Sequence, residues 1–261
     1  MSIQRHPKYL VPIRYIGGKS KVLSTLHEQL PPHFDEWKDC FMGGGSLTLS
    51  VMWQNKNASY FINEGNPYVF NFWYWLHKNA PKMQEWIWQK KSEFGDGGHE
   101  QLFLWCREKI QHADPFEQGC MWFILNRTSF NGMGETISRH HCLKDEKITD
   151  LKYCGALLRS VNLTITNYDY SVLLSSSSKK TFVYMDPPYE LGPKIYYGKL
   201  HRNFNHDVFA MVVKDVRHNW LITYNDSEQI RQRFDGFKTT SMPMPYNKYG
   251  ERVNELVIRN Y

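Results

Sequence analysis

The stretch Asp39-Cys40-Phe41-Met42-Gly43-Gly44-Gly45-Ser46 decides the fold class. A short β-forming run, expected as a strand around 39–42, passes into three glycines and then a helix-forming stretch over 46–54. A second strand is expected at 59–62, which makes this the start of a βαβ unit. Consecutive glycines at the carboxyl end of a strand let a ligand approach the backbone, and they also serve in ordinary tight turns. The ligand reading gains from Glu64, just past the second strand in Asn63-Glu64-Gly65-Asn66 and about 20 positions beyond the first glycine. A carboxylate at that spacing can accept both hydroxyls of a ribose.

Working outward, a helix is expected over 19–30, further strands at 163–166, 181–185, 220–224 and 255–259, and an amphipathic helix between Asn205 and Arg217. Together these predict an α/β domain with a largely parallel sheet. The middle has another texture. Trp73, Trp75, Trp86, Trp88 and Trp105 crowd one segment, which Gly95, Gly97 and Gly98 break into two helical stretches. Residues 68–162 therefore read as a mostly helical lobe inserted between 1–67 and 163–261, with the tryptophans expected mainly as packing. Ser175 to Ser178 reads as a surface loop.

A chain of 261 residues with 41% hydrophobic and 22% charged residues can bury a large core, which excludes a disordered protein. Its longest apolar run, Val69 to Leu76, falls far short of the roughly 20 residues of a membrane span, and no signal-peptide core is evident. A cytoplasmic protein is expected. Five cysteines without a CxxC pair argue against disulfides and against structural zinc. The net charge of +6 says little alone, but Arg5, Lys8, Arg14, Lys19 and Lys21 all precede the first acid, Glu28. Basic groups for phosphates, with 15% aromatics for stacking, suit a nucleic-acid enzyme.

The sharpest motif is Thr181-Phe182-Val183-Tyr184-Met185-Asp186-Pro187-Pro188-Tyr189. An apolar strand ends in an acid, two prolines that lock the turn, and a ring. Fixed acceptors beside a flat surface suit a planar substrate with an exocyclic amine.

Asp186-Pro187-Pro188-Tyr189 resembles the catalytic motif of amino-methyltransferases that use S-adenosylmethionine. Five further blocks share the family's order. They are Arg14-Tyr15-Ile16-Gly17-Gly18-Lys19-Ser20, Phe41-Met42-Gly43-Gly44-Gly45, Asn63-Glu64-Gly65-Asn66, Asn126-Arg127-Thr128-Ser129-Phe130-Asn131-Gly132 and the closing Asn254-Glu255-Leu256-Val257-Ile258-Arg259-Asn260-Tyr261. Over essentially the whole chain, the series resembles the Dam-like (D12 class) DNA adenine N6-methyltransferases. The resemblance implies a Rossmann-like S-adenosylmethionine-dependent methyltransferase sheet with an inserted target-recognition lobe. Tyr15, Gly17 and Lys19 would contact the methionine end of the cofactor. Phe41 and Gly43, Gly44 and Gly45 would line its loop, Glu64 would take the ribose, and Asp169 would read the cofactor's adenine amine. Asp186, Pro187, Pro188 and Tyr189 would hold the target adenine, with Asp186 also facing the cofactor. The expected reaction is direct in-line displacement on a base flipped out of duplex DNA, with no metal.

Asn126, Arg127, Phe130, Asn131 and Arg139 are the expected DNA contacts, since asparagine and arginine can read base edges and an aromatic can wedge between bases. Asn131-Gly132 is also a common hairpin turn. GATC-specific members carry an arginine shortly after the Asn-Gly pair and then a Gly-x-Phe-Asn-x-Pro-x-Gly hairpin. Here that stretch holds Met133, Gly134 and Glu135, so GATC is not implied as the target. Competing readings are an N4-cytosine or RNA methyltransferase, a small-molecule methyltransferase, or a catalytically silent DNA-binding protein. Asp rather than Ser before Pro187, the intact motif set and the basic amino terminus favour the DNA adenine enzyme, a chain able to act as a monomer, with a dimer left open.

Overall fold

The computed structural model describes residues 10–95, 97–138, 142–174, 180–189, 204–244 and 253–261. Arg139 and the run from Ser175 to Ser178 lie outside the described residues. The chain divides into two compact units. One takes the residues up to Gly18 with 43–56 and 66–165, and the other takes 19–42, 57–65 and 166–261. The segment ending at Gly18 and the helix after the glycines thus group with the helical lobe, whereas the sequence reading kept them with the sheet.

The sheet has seven strands in the order β3-β2-β1-β4-β5-β7-β6, where β1 is Glu36–Asp39, β2 Ser59–Asn63, β3 Asn162–Thr166, β4 Thr181–Met185, β5 Asn219–Asn225, β6 Lys238–Met244 and β7 Val253–Arg259. β1 runs parallel to β2 and β4, and β4 parallel to β5, while β7 is antiparallel to β5 and β6. Strand order reverses between β1 and β4, the switch point beyond whose carboxyl ends open α/β sheets bind ligands. All five residues of β4 are buried, as its unbroken apolar run requires of a central strand.

β1 begins earlier than expected and ends at Asp39. Trp37 is fully buried, with its ring centroid 5.1 Å from that of Phe182, and the Lys38 ammonium reaches the Leu173 carbonyl at 2.9 Å. A lysine inside a strand hides the apolar pattern. The chain then turns as Phe41 N donates to Asp39 Oδ1. β6 was not expected at all. Four of its first residues are exposed and Pro243 interrupts it, which an edge strand tolerates. The helix expected over 19–30 is a single 3-10 turn, Lys19–Lys21, and a short α1, Leu23–His27, separated by Val22 at φ −122°.

Helices α7 (Tyr170–Leu174), α8 (His206–Lys214) and α9 (Glu228–Arg233) belong to the sheet unit. Phe209, Val213, Trp220, Ile222, Tyr224, Phe234, Leu256 and Ile258 form one buried cluster there.

The helical unit holds α2 (Ser46–Gln54), α3 (Pro67–Phe94), α4 (His99–Lys109), α5 (Pro115–Thr128) and α6 (Asp145–Arg159). α3 is kinked at Asn79, just before Pro81, which cannot donate to the His77 carbonyl. Arg159 donates to that carbonyl instead, at 3.4 Å, and Asn79 Oδ1 caps the next segment at Lys82 N. Gly119 lets α5 close on α3, since a Cβ there would lie 2.8 Å from the Asn71 carbonyl oxygen. Trp73 is fully buried, as expected of a packing residue, while Trp88 is exposed. Among the described residues no helix is long and apolar enough to cross a membrane.

Candidate active site

Asp186 follows directly from β4, and in the β4–β5 register Met185 lies opposite Ile222, so the acid comes beside Thr223. Both its oxygens are held. Oδ1 accepts from Thr223 Oγ1 at 2.8 Å and from Tyr189 OH at 3.1 Å. Oδ2 accepts from Lys19 Nζ at 2.7 Å. Thr223 is fully buried and shares a hydrogen bond with Tyr184 OH at 3.2 Å. A carboxylate has about four lone-pair sites, so roughly one remains for a substrate donor.

Lys19 is the hub of this cluster. Its ammonium also donates to Tyr189 OH at 3.0 Å and lies 3.5 Å from Glu255 Oε2, with its side chain only 3% exposed. Two of its N–H bonds thus go to Asp186 and Tyr189, and Glu255 is held as an ion pair. Burial pulls the Lys19 pKa down, but Asp186 and then Glu255 outweigh it, so the value is raised above 10.5. Burial pushes Glu255 above the usual carboxylate range, and Lys19 opposes the shift. Burial, followed by Asp186, pushes the Tyr189 phenol well up. The Tyr189 ring stacks on Tyr224 with centroids 5.8 Å apart at 26°, and Tyr224 OH is hydrogen bonded to His206 Nδ1.

At the ends of β1 and β2, Asn63 clamps the neighbouring loop. Its Oδ1 accepts from Tyr168 N at 2.9 Å and its Nδ2 donates to the Tyr168 carbonyl at 3.0 Å. Glu64 is 5% exposed, with its main-chain carbonyl held by Asn167 Nδ2. Asp169 is exposed and caps α7, its Oδ1 accepting from Ser171 N and Oγ. Phe41 packs against Tyr170, Phe204 and Phe209, with centroids 5.4, 5.8 and 5.9 Å away.

In the helical unit, Tyr15 lies on the glycine loop. A Cβ on Gly43 would come 2.8 Å from Tyr15 Cε1, and one on Gly44 2.8 Å from Tyr15 Cβ. Gly17 (φ 78°) supplies the left-handed residue of a turn closed by Gly18 N on the Tyr15 carbonyl, while Gly45 (φ 68°) precedes α2.

In the same unit a hairpin follows α5. Phe130 N donates to the Thr136 carbonyl, Ser129 bridges Ile137, and Asn131 turns the chain at φ 55°. Arg14 secures its base by donating from one guanidinium nitrogen to the carbonyls of Asn126, Arg127 and Ser129. Asn126 is 1% exposed, and its amide is spent on main chain. Oδ1 accepts from Arg14 N, and Nδ2 donates to the carbonyls of Arg14 and Gly132. These atoms hold the hairpin rather than face a base edge. Arg127 is half-buried, and burial together with the nearby Arg14 charge lowers its pKa to about 10. Phe130, by contrast, is 45% exposed at the tip.

The structure thus brings together Lys19, Asp186 and Tyr189, and it adds Thr223, Tyr184 and Glu255, to which the sequence reading gave no role. The two polar residues Thr223 and Asn225, two apart at the end of apolar β5, hint at a polar face there, but nothing local says what they touch. Among the described residues no group of three or more His, Cys, Asp or Glu could hold a metal ion.

Comparison with known proteins bears on the same residues. The model of the D12 class N6 adenine-specific DNA methyltransferase family matches residues 15–243. The chain is 22% identical over 199 residues to the type II methyltransferase M.MjaIII of Methanocaldococcus jannaschii, covering 68% of each. It is 21% identical over 249 residues to the DNA adenine methylase of Haemophilus influenzae, covering 87% of this chain and 83% of that one. It is 26% identical over 192 residues to modification methylase StsI of Streptococcus sanguinis, covering 68% of this chain and 28% of that protein. With the family model spanning every block from Tyr15 to the strand before the last, this chain belongs to the D12 class of N6 adenine-specific DNA methyltransferases.

Proposed function

We propose that the protein transfers the methyl group of S-adenosylmethionine to N6 of an adenine extruded from duplex DNA, and that it can do so as a single chain. The observation that carries this reading is the Asp186 carboxylate, fixed at the end of β4 by Thr223, Tyr189 and Lys19 beside the reversal in strand order.

The residues present fit the cofactor. Glu64, at the end of β2, suits a ribose diol, and the Phe41 and Tyr170 rings give the end of β1 an apolar wall. Asp169 suits an exocyclic amine, and in the helical unit Tyr15, Gly17 and Gly43–Gly45 would complete the contacts that the family resemblance implies. When bound, S-adenosylmethionine supplies an electrophilic methyl group.

Adenine's amine is a weak nucleophile because its lone pair is delocalised into the ring. Asp186, held in place by the turn that Pro187 and Pro188 lock, accepts an N–H of that amine and so favours the charge that develops on the nitrogen. Lys19 balances the charge of Asp186. Its ammonium donates to Asp186 and Tyr189 and pairs with Glu255, so we assign it to holding the acid, beside the cofactor contact that the resemblance implies. Tyr189, backed by Tyr224, stacks on the extruded base and offsets part of the unstacking cost. Phe130, exposed at the hairpin tip, would take the space the base leaves, with Arg127 and Asn131 of the same segment for phosphate or base contacts.

The test is incubation of the purified protein with tritiated S-adenosylmethionine and unmethylated genomic DNA, followed by nucleoside mass spectrometry. N6-methyldeoxyadenosine is expected. Asp186→Ala should still bind DNA while its turnover falls about 100-fold or more. Label in RNA only, or activity in Asp186→Ala above a few per cent of wild type, would overturn the reading.

A further inference from the structure

Asn225 closes β5, and both polar atoms of its side chain, Oδ1 and Nδ2, are buried with no hydrogen-bond partner among the described residues. Buried amides are nearly always bonded, so an asparagine with neither atom paired calls for an explanation. Its position supplies one. Side chains alternate along a strand, so Asn225 shares a sheet face with Thr223, whose hydroxyl holds Asp186. In the antiparallel β5–β7 register Asn225 lies opposite Glu255, the carboxylate 3.5 Å from Lys19. Directly opposed residues project on the same face. Thr223, Asn225 and Glu255 therefore project together on the face of the sheet that carries the Lys19–Asp186 pair. Tyr224, between them, points to the opposite face and packs with Phe209 and Phe234.

We propose that Asn225 binds the target base, using its Oδ1 and Nδ2 as an acceptor and donor pair. Adenine presents an amine donor next to a ring-nitrogen acceptor, the pattern that an asparagine amide matches bidentately. Asp186 takes one amine hydrogen for the reaction. Asn225 reads the other hydrogen together with the adjacent ring nitrogen, which makes it a specificity residue for the base and not a support for the fold. This rests on the methyl-transfer reading above.

The test compares wild type with Asn225→Leu, which keeps the size of the side chain and removes its polar atoms, and with the smaller Asn225→Ala. Melting temperature, S-adenosylmethionine affinity by calorimetry, and kcat/KM on unmethylated genomic DNA are measured for each. The expected result is a kcat/KM lower by roughly 10- to 100-fold, with unchanged cofactor affinity and, in Asn225→Leu, an unchanged or higher melting temperature, since an unpaired buried amide is gone. Activity within twofold of wild type in either variant that folds would overturn the proposal. So would a fall in melting temperature in both variants, which would mark Asn225 as a structural residue. If the wild type itself forms no N6-methyldeoxyadenosine, the methyl-transfer reading fails, and that outcome is distinct from either of these.

Discussion

The acid cluster of the sheet unit and the hairpin base of the helical unit spend their polar side chains in opposite ways. Around Asp186, side chains bond to side chains, with Lys19, Tyr189, Thr223 and Tyr184 forming a chain of charge-assisted and hydroxyl contacts. Around Arg14 and Asn126, side chains bond to the main chain, satisfying five carbonyl contacts and one amide. The first arrangement sets the charge and direction of a single carboxylate. The second sets the path of a loop and leaves Phe130 exposed at its tip. Substitution should therefore impair turnover in the first and folding or docking in the second.

The largest expected effect falls on the hairpin. Arg14→Ala leaves three carbonyls at the carboxyl end of α5 without their donor and should destabilise the protein by about 2 kcal/mol. Urea unfolding measures the loss, and a gel shift should show weaker DNA binding. If stability held while turnover fell, the contrast between the two regions would collapse.

Thr223→Val sharpens the other side. It preserves shape, removes the 2.8 Å bond to Asp186, and should lower kcat by about 10-fold with little change in KM, whereas Thr223→Ser should recover most of the rate. Equal losses in both variants would mean that packing, and not the hydroxyl, matters there.

The smallest effect is a pH dependence. Because the folded-state pKa of Lys19 is raised, its contribution to stability is complete below pH 10.5 and is lost as pH climbs through the higher folded value. Denaturation midpoints should fall in that range for wild type and fall less in Lys19→Met. Parallel curves would show that Lys19 is not the group titrating.

Much of this was legible in the sequence because the fold writes it in short unbroken runs. β4 and α2 stand over the residues expected of them, since Thr181–Met185 is a short β-forming and mostly apolar run and Ser46–Gln54 is a helix-forming stretch directly after the glycines. β1 shifted because buried Lys38 breaks its pattern, and β6 escaped notice because an exposed edge strand needs no alternation. Asp186 and Tyr189 were legible as a motif. The roles of Thr223 and Glu255 were not, because Thr223 meets the acid and Glu255 meets Lys19 across the sheet, by a register that no local window contains. Asn126 looked like a reader of bases for the same reason: nothing near it in the chain reveals that Arg14 has claimed its amide.

The seat of Tyr15 on Gly43 and Gly44 ties together two blocks that lie far apart in the chain. A methyl group on either glycine collides with the tyrosine, so a lineage cannot enlarge the loop without first shrinking the residue above it, and it cannot remove the tyrosine without uncovering the loop. The two blocks can drift only as a pair. In a recombined or shuffled gene, a crossover placed between them would need to bring both from compatible parents.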